Sequence, residues 1–181
     1  MKGLVFREFA NMVEREFGQD AFDDLVDECD LPSGGAYTTV GDYDHQEMLD
    51  LVTALSAKTG APIPTLVRAY GKFLIPAFRA KYQPFFDQHD NLFDFLESIE
   101  NQVHVEVLKL YPTAQLPRFN TKRLNDRCMT MHYQSPRPFS QLAFGLIEGA
   151  VDYYGVMAEV DFQDDSVPGA SEATFTITLM E

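Results

Sequence analysis

The segment Tyr133-Gln134-Ser135-Pro136-Arg137 puts a phenol, a serine hydroxyl and a guanidinium at alternate positions. Side chains of an extended backbone repeat every two residues, so these three project to one side as a row of donors. Such a row suits a ligand carrying carboxylates or phosphates, and the planar fork of arginine can grip one carboxylate through two hydrogen bonds. The run from Cys128 to Tyr133 is β-like and leads directly into the segment, whereas Pro136 and Pro138 forbid a simple continuation in a central strand. Taken singly, Tyr133 and Ser135 each read as surface polar residues.

Upstream lies a second β-like run, Arg118 to Asn120, with Pro117 as a strand-start proline. Before it comes the longest clean helical pattern of the chain: Leu92, Leu96, Ile99, Val103, Val107 and Leu110, introduced near Asp90 and stopped at Tyr111-Pro112. His104 rides on this helix beside the apolar stripe, one residue past Val103 and four after Glu100. A lone histidine so placed is usually a boundary residue satisfied by water or a carbonyl. Downstream, Phe139, Leu142, Ala143, Leu146, Ile147 and Ala150 predict a helix closed near Gly155. The alternations Ala158, Val160, Phe162 and Ala173, Phe175, Ile177, Leu179 then predict an antiparallel hairpin with Pro168-Gly169 in its turn.

The first ninety residues read as helices. Phe6, Phe9, Val13 and Phe17 predict one from about Val5 to Phe17, stopped by Gly18. Asp20 is placed to cap a short second helix carrying Phe22, Leu25, Val26 and Cys29, with Asp23, Asp24, Asp27 and Glu28 as its solvated face. Asp44 and Glu47 have capping-box spacing and introduce a helix with Met48, Leu51, Val52 and Leu55 inward, ended at Lys58-Thr59-Gly60. Another starts at Pro62 and Pro64 and carries Leu66, Val67, Tyr70, Leu74 and Phe78, with Pro76 expected to kink or end it. The expected class is therefore α+β: a single domain over residues 1–181, with a helical N-terminal subdomain of about residues 1–60 packed on a subdomain of about residues 61–181. In the latter, helices pack on one face of a small antiparallel sheet.

Composition narrows the function. A chain of 181 residues with 45% hydrophobic content, fifteen Phe and no Trp can wall a large apolar cavity. Fourteen Lys and Arg against 28 Asp and Glu give a net charge of −14, which argues against nucleic acid or an anionic membrane as partner. The N-terminus lacks the apolar run of a secretory signal, and no window approaches the ~20 apolar residues of a membrane span, so a cytoplasmic location is expected. Cys29 and Cys128, with no C-x-x-C, indicate neither a thiolate metal site nor c-type haem attachment.

With His104 on a long helix, Pro117 thirteen residues on and Tyr133-x-Ser135-x-Arg137 beyond it, the sequence resembles the haem nitric oxide/oxygen binding (H-NOX) family of gas sensors. The likeness runs from the opening Met-Lys-Gly through Lys58-Thr59-Gly60 and Gly145-Leu146-Ile147-Glu148-Gly149 to the C-terminal strands, so it covers essentially the whole chain. It implies haem b (iron protoporphyrin IX) as cofactor, with His104 as the proximal iron ligand. Tyr133, Ser135 and Arg137 would clamp the propionates, and Pro117 would press on the macrocycle. The resemblance also assigns Val5, Phe9, Leu74, Phe78, Leu142 and Leu146 to the distal side, all of them apolar.

Family members that hold oxygen stably place a tyrosine at the position matching Leu142. Leucine cannot hydrogen-bond the partly anionic bound O₂, a contribution of roughly 1.5 to 3 kcal/mol, whereas NO and CO depend far less on a donor. The resemblance therefore implies a non-enzymatic sensor of NO and CO, with no stable O₂ complex, that signals by release of the proximal histidine to a separate partner. A histidine kinase or a cyclic-di-GMP enzyme is the expected partner. Two other classes remain open: a haem enzyme of peroxidase or oxygenase type, which needs polar distal residues, and a haem-free interaction module that keeps only the fold.

Overall fold

In a computed structural model, described here for residues 1–167 and 169–180, seven α-helices and one π turn among the described residues accompany a four-stranded antiparallel sheet. The chain forms two units, Met1–Tyr70 and Gly71–Glu181.

The first unit is helical. Helix α1 (Gly3–Phe17) starts two residues before the expected point, because the loop beyond residue 37 satisfies its leading amides. Gly3 N–H donates to the Gly41 carbonyl at 2.8 Å and Leu4 N–H to that of Thr39 at 3.1 Å. Helix N-termini leave such amides orphaned unless something caps them, and here backbone does so. Gly3 is required by the approach, since a Cβ there would run into the Thr38 carbonyl oxygen. Phe6, Phe9 and Val13 are fully buried, but Phe17, expected on the same face, is 48% exposed in the last turn. Phe6 stacks on Tyr37 at 4.3 Å, which seats the loop on α1.

Helix α2 (Ala21–Glu28) is preceded by Asp20, whose side chain makes no capping hydrogen bond, and is tied to α3 (His45–Thr59) by Lys58 Nζ and Asp24 Oδ2 at 2.7 Å. Asp44 caps α3 as expected, accepting from Gln46 N–H at 2.9 Å. The reciprocal half of the expected capping box does not form. Glu47 turns inward and is 4% exposed, accepting from the Ser33 hydroxyl and, at 2.9 Å, from the Tyr37 hydroxyl. A buried carboxylate satisfied by two hydroxyls, that of buried Tyr37 and that of partly buried Ser33, contributes more there than it would at an exposed helix end. Gly60 closes α3 in the left-handed region at φ 74°.

Helix α4 (Ile63–Asp87) runs on through Pro76, contrary to the expected kink, and breaks instead at Tyr82 (φ −126°, ψ 36°), two residues before Pro84. Pro84 disfavours helical angles at the residue before it and collides with the carbonyl four residues back, so the chain leaves the helix just ahead of it. Pro76 leaves the Lys72 carbonyl without its amide partner, and Gly149 packs near that oxygen. A Cβ on Gly149 would stand only 3.1 Å from it and 2.6 Å from Ile75 Cγ1.

In the second unit the strands β1 (Arg118–Asn125), β2 (Cys128–Ser135), β3 (Ala158–Asp164) and β4 (Ser171–Leu179) lie in the order β1-β2-β4-β3. The expected hairpin is formed by β3 and β4, with Phe162 opposite Phe175 and Val160 opposite Ile177. Of its expected turn, Gly169 has φ 87° and Pro168 lies outside the described residues. Met129, Met131 and Tyr133 of β2 and Ala173, Phe175 and Ile177 of β4 are buried on one face of the sheet. Helix α7 (Ser140–Tyr153) covers that face, Phe144 lying 5.4 Å from Phe162 and 5.8 Å from Phe175. Burial of each such ring contributes on the order of 1.5–3 kcal/mol.

The expected single helix over residues 92–110 is three pieces: α5 (Leu92–Ser98), a π turn (Ile99–Val103) and α6 (His104–Leu110). Ile99 N–H bonds back only to Leu96 O, which leaves the Phe95 carbonyl to the Ser98 hydroxyl at 2.7 Å, and His104 N–H reaches Ile99 O. A π turn admits one extra residue and so rotates the helix beyond it by roughly 100°. His104 is thereby brought into line with the Leu92–Leu96 stripe, while Leu110, expected inward, is 63% exposed.

Candidate haem site

The site is built where α6 meets the edge strand β1. The His104 side chain is 14% exposed, and its Nδ1 lies 3.2 Å from Glu100 Oε2. The same oxygen accepts the Phe119 amide at 3.0 Å. Since β1 is a sheet edge, alternate amides on it have no strand partner, and this carboxylate takes one of them. Burial pushes the His104 imidazole below its ordinary pKa, with Glu100 acting in the opposite sense, so the neutral ring is favoured. Nε2 is then the nitrogen available to a metal.

Phe119 joins the histidine to the donor row. Its ring lies 5.8 Å from the imidazole and 5.5 Å from Tyr133, its register partner across β1 and β2. Tyr133 is buried, and burial pushes its hydroxyl above the ordinary value, with the Ser135 hydroxyl, the Phe139 amide and the Ser171 hydroxyl pulling it back. Ser135 ends β2, and its Oγ accepts the Arg137 amide at 3.0 Å. Arg137 lies just past the strand, its guanidinium donating to Gln115 Oε1 at 2.8 Å and to the Gln115 carbonyl at 3.4 Å. Pro117, half-buried, immediately precedes β1, where its missing amide costs no ladder bond. Tyr133, Ser135 and Arg137 are thus brought together.

Of the residues expected on the distal side, Val5 and Phe9 lie on α1 in the first unit. Phe9 is fully buried edge-on to Tyr70 at 5.2 Å, and the Val5 carbonyl accepts the Tyr70 hydroxyl. Leu74 and Phe78 lie on α4, Leu142 and Leu146 on α7. These helices cross in direct backbone contact at Gly71, where a Cβ would strike the Leu142 carbonyl oxygen and stand 2.9 Å from Leu146 N. Leu74 is 1% exposed; Phe78 and Leu146 are partly buried and pack on the core of the second unit.

A mostly buried imidazole beside a row of hydroxyl and guanidinium donors is a set that could ligate one metal and hold carboxylates. The sequence matches the family described as Haem-NO-binding over residues 2–162. The chain belongs to the H-NOX family. Its fold matches the Fe(II) unliganded H-NOX protein of K. algicida with a TM-score of 0.93 at 33% identity, covering 100% of this chain and 97% of that one. It matches the Shewanella woodyi H-NOX with a TM-score of 0.82 at 39% identity, covering 98% and 94%. Among curated proteins it is 25% identical over 150 residues to soluble guanylate cyclase gcy-35 of Caenorhabditis elegans; the match takes in 76% of this chain but only 20% of that relative. H-NOX domains bind haem and are gas sensors.

The residues present fit such a group. His104 offers Nε2 with its other nitrogen already engaged, and Tyr133, Ser135 and Arg137 carry donors of the kind carboxylates accept from. Among the described residues no cluster of three or more His, Cys, Asp or Glu could hold a metal ion by itself, and no helix is long and apolar enough to cross a membrane. Glu100 and Phe119 were not singled out from the sequence; the i, i+4 spacing of Glu100 and His104 was the one available signal, and it marks ordinary helix surfaces as readily.

Proposed function

We propose that this chain is a cytoplasmic sensor that holds haem b through His104 and binds NO and CO in the ferrous state without a stable O₂ complex. The observation that carries the reading is the mostly buried His104, with Nδ1 held by Glu100 and its ring linked through Phe119 to Tyr133, beside which lie Ser135 and Arg137. His104 would ligate the iron of the haem through Nε2. Tyr133, Ser135 and Arg137 hold the propionates, and Pro117 bears on the macrocycle. When bound, the haem supplies a ferrous iron that takes a diatomic gas at its open position.

Selectivity follows from side-chain chemistry. None of Val5, Phe9, Leu74, Phe78, Leu142 and Leu146, the residues assigned to the distal side, carries a hydrogen-bond donor in its side chain, and bound O₂ needs one far more than NO or CO does. The Shewanella woodyi relative was studied in the Fe(II)CO ligation state, which supports a ferrous, CO-binding reading. His104 is also the output: once it is no longer held as a ligand, Ile99–Leu110 is tied to β1 chiefly through Glu100 and can shift, biasing a two-state element. The recipient is a separate signalling enzyme, a histidine kinase or a cyclic-di-GMP enzyme. Likeness to a fifth of a relative named as a cyclase supports coupling to an output enzyme.

Absorption spectra of the reduced protein with and without NO test the reading. Stoichiometric haem and an NO-dependent Soret shift are expected, with the unliganded spectrum altered in His104→Gly. A colourless protein after haem supplementation, or an unchanged spectrum in His104→Gly, refutes it.

A further inference from the structure

We propose that Glu100 is a positioning residue that fixes the tautomer of His104 and sets its strength as an iron ligand, and so governs how readily NO drives His104 off. The effect at the iron rests on the reading of His104 above; the contact itself does not.

Three observations carry it. First, one oxygen, Glu100 Oε2, meets both His104 Nδ1 at 3.2 Å and the Phe119 amide at 3.0 Å. A carboxylate oxygen is an acceptor, so Nδ1 has to present a proton to it; the other tautomer would set a nitrogen lone pair against an oxygen lone pair. The proton is thus placed on Nδ1 and the lone pair on Nε2, the arrangement a metal requires, and partners of this kind raise the basicity of a ligating imidazole. Second, the Phe119 amide anchors the carboxylate from β1, outside the helix that carries His104. The imidazole is therefore oriented against the sheet and not merely against its own turn. Third, Glu100 lies inside the π turn Ile99–Val103, so the residue that aims His104 belongs to the irregular segment that brings it into line. A surface ion pair has none of these features. The imidazole is 14% exposed and the Glu100 side chain 37%, which keeps the contact partly out of water.

The test uses reduced, haem-loaded protein in four forms: wild type, Glu100→Gln, Glu100→Ala, and Glu106→Gln, which alters a carboxylate of α6 paired with Lys109 and remote from Nδ1. Resonance Raman reads the iron–His104 stretch, and stopped-flow absorption reads loss of the histidine after NO is added. The stretch is expected to fall in Glu100→Gln and further in Glu100→Ala. Histidine loss should accelerate roughly tenfold in the alanine variant, the lower range for removing a group that supports a metal ligand. Glu106→Gln should match wild type in both.

A purely structural role would move the melting temperature without grading the stretch between Gln and Ala. An iron–His104 stretch and a release rate unchanged in haem-loaded Glu100→Gln and Glu100→Ala overturn the proposal. Wild-type protein without haem ligated by His104 refutes instead the reading on which it rests. In that event ¹⁵N spectra of the His104 ring in wild type and Glu100→Ala decide the tautomer alone, and identical spectra overturn it.

Discussion

Gly71 of α4 lies with its Cα against the Leu142 carbonyl of α7, so closely that no side chain fits between them. A Cβ at Gly71 would also stand 2.9 Å from the Gly145 Cα, and all of these neighbours are backbone atoms held by helical hydrogen bonds. Ordinary helix propensity would favour alanine over glycine by about 1 kcal/mol, but neither helix can yield at this crossing. Gly71→Ala is expected to lower stability by about 1–3 kcal/mol, the usual cost of overpacking, measured as the urea midpoint. Gly149→Ala, where the nearest atom is Cγ1 of the adjustable Ile75 side chain, should cost less.

Arg137 and His104 make separable contributions. Arg137→Ala removes the guanidinium now held by Gln115 and, on the proposed reading, a charge-assisted bond to a propionate. A bond of that kind contributes about 1.5–3 kcal/mol, or roughly ten- to a hundredfold in an equilibrium constant. Because Arg137 is only half-buried, the lower end is expected as a faster transfer of haem to apomyoglobin, with the iron–His104 stretch unmoved.

Leu142→Tyr should create what the proposed distal wall lacks. A phenol at this position, donating to bound O₂, is expected to raise O₂ affinity roughly tenfold or more while changing CO affinity much less. Oxygen titration of the ferrous protein, followed in the Soret region, reads the ratio. Equal gains for both gases would remove Leu142 from the distal side.

Tyr154 makes stability pH-dependent on the alkaline side. Its hydroxyl donates to the Phe86 carbonyl at 3.1 Å, and burial, with the nearby Tyr153 and Asp87 as lesser causes, pushes its pKa up to about 12. A group whose pKa is raised on folding stabilises fully below its unfolded value, near 10, and that contribution is lost as pH rises toward 12. Urea midpoints between pH 9 and pH 11.5 should fall for wild type and fall less steeply for Tyr154→Phe.

The elements fixed by regular repetition were legible in the sequence. β2 and β4 alternate between buried and less buried positions, and an alternating pattern needs no tertiary information to be read. The same rule sets Tyr133 and Ser135 on one side of β2, but Arg137 lies past the strand and is brought beside them by its amide bond to Ser135 Oγ, which alternation does not reveal. The features that escaped were set by the competition of one group between two partners. Glu47 has the spacing of a capping-box residue, yet two hydroxyls outcompete the helix terminus for it, and those hydroxyls come from Ser33 and Tyr37 in a loop whose path no periodicity reveals.

Pro76 looked like a break because the loss of an amide was visible and the packing of Gly149, more than seventy residues away, against that turn was not. Phe119 and Glu100 escaped for a related reason. Each acquires its place only when the edge amide of β1 and the irregular turn before His104 are brought side by side.

That turn leaves the helix with one residue of slack. If the Ile99–Val103 segment drew its surplus residue into regular α-helical bonding, everything from His104 to Leu110 would screw forward by roughly 100° and lengthen by ~1.5 Å, with no other element unfolded. A travel of this size matches the 1–2 Å helix shifts to which packed assemblies respond. Val105, Leu108 and Leu110, each more than 40% exposed, would sweep across the surface as it happened.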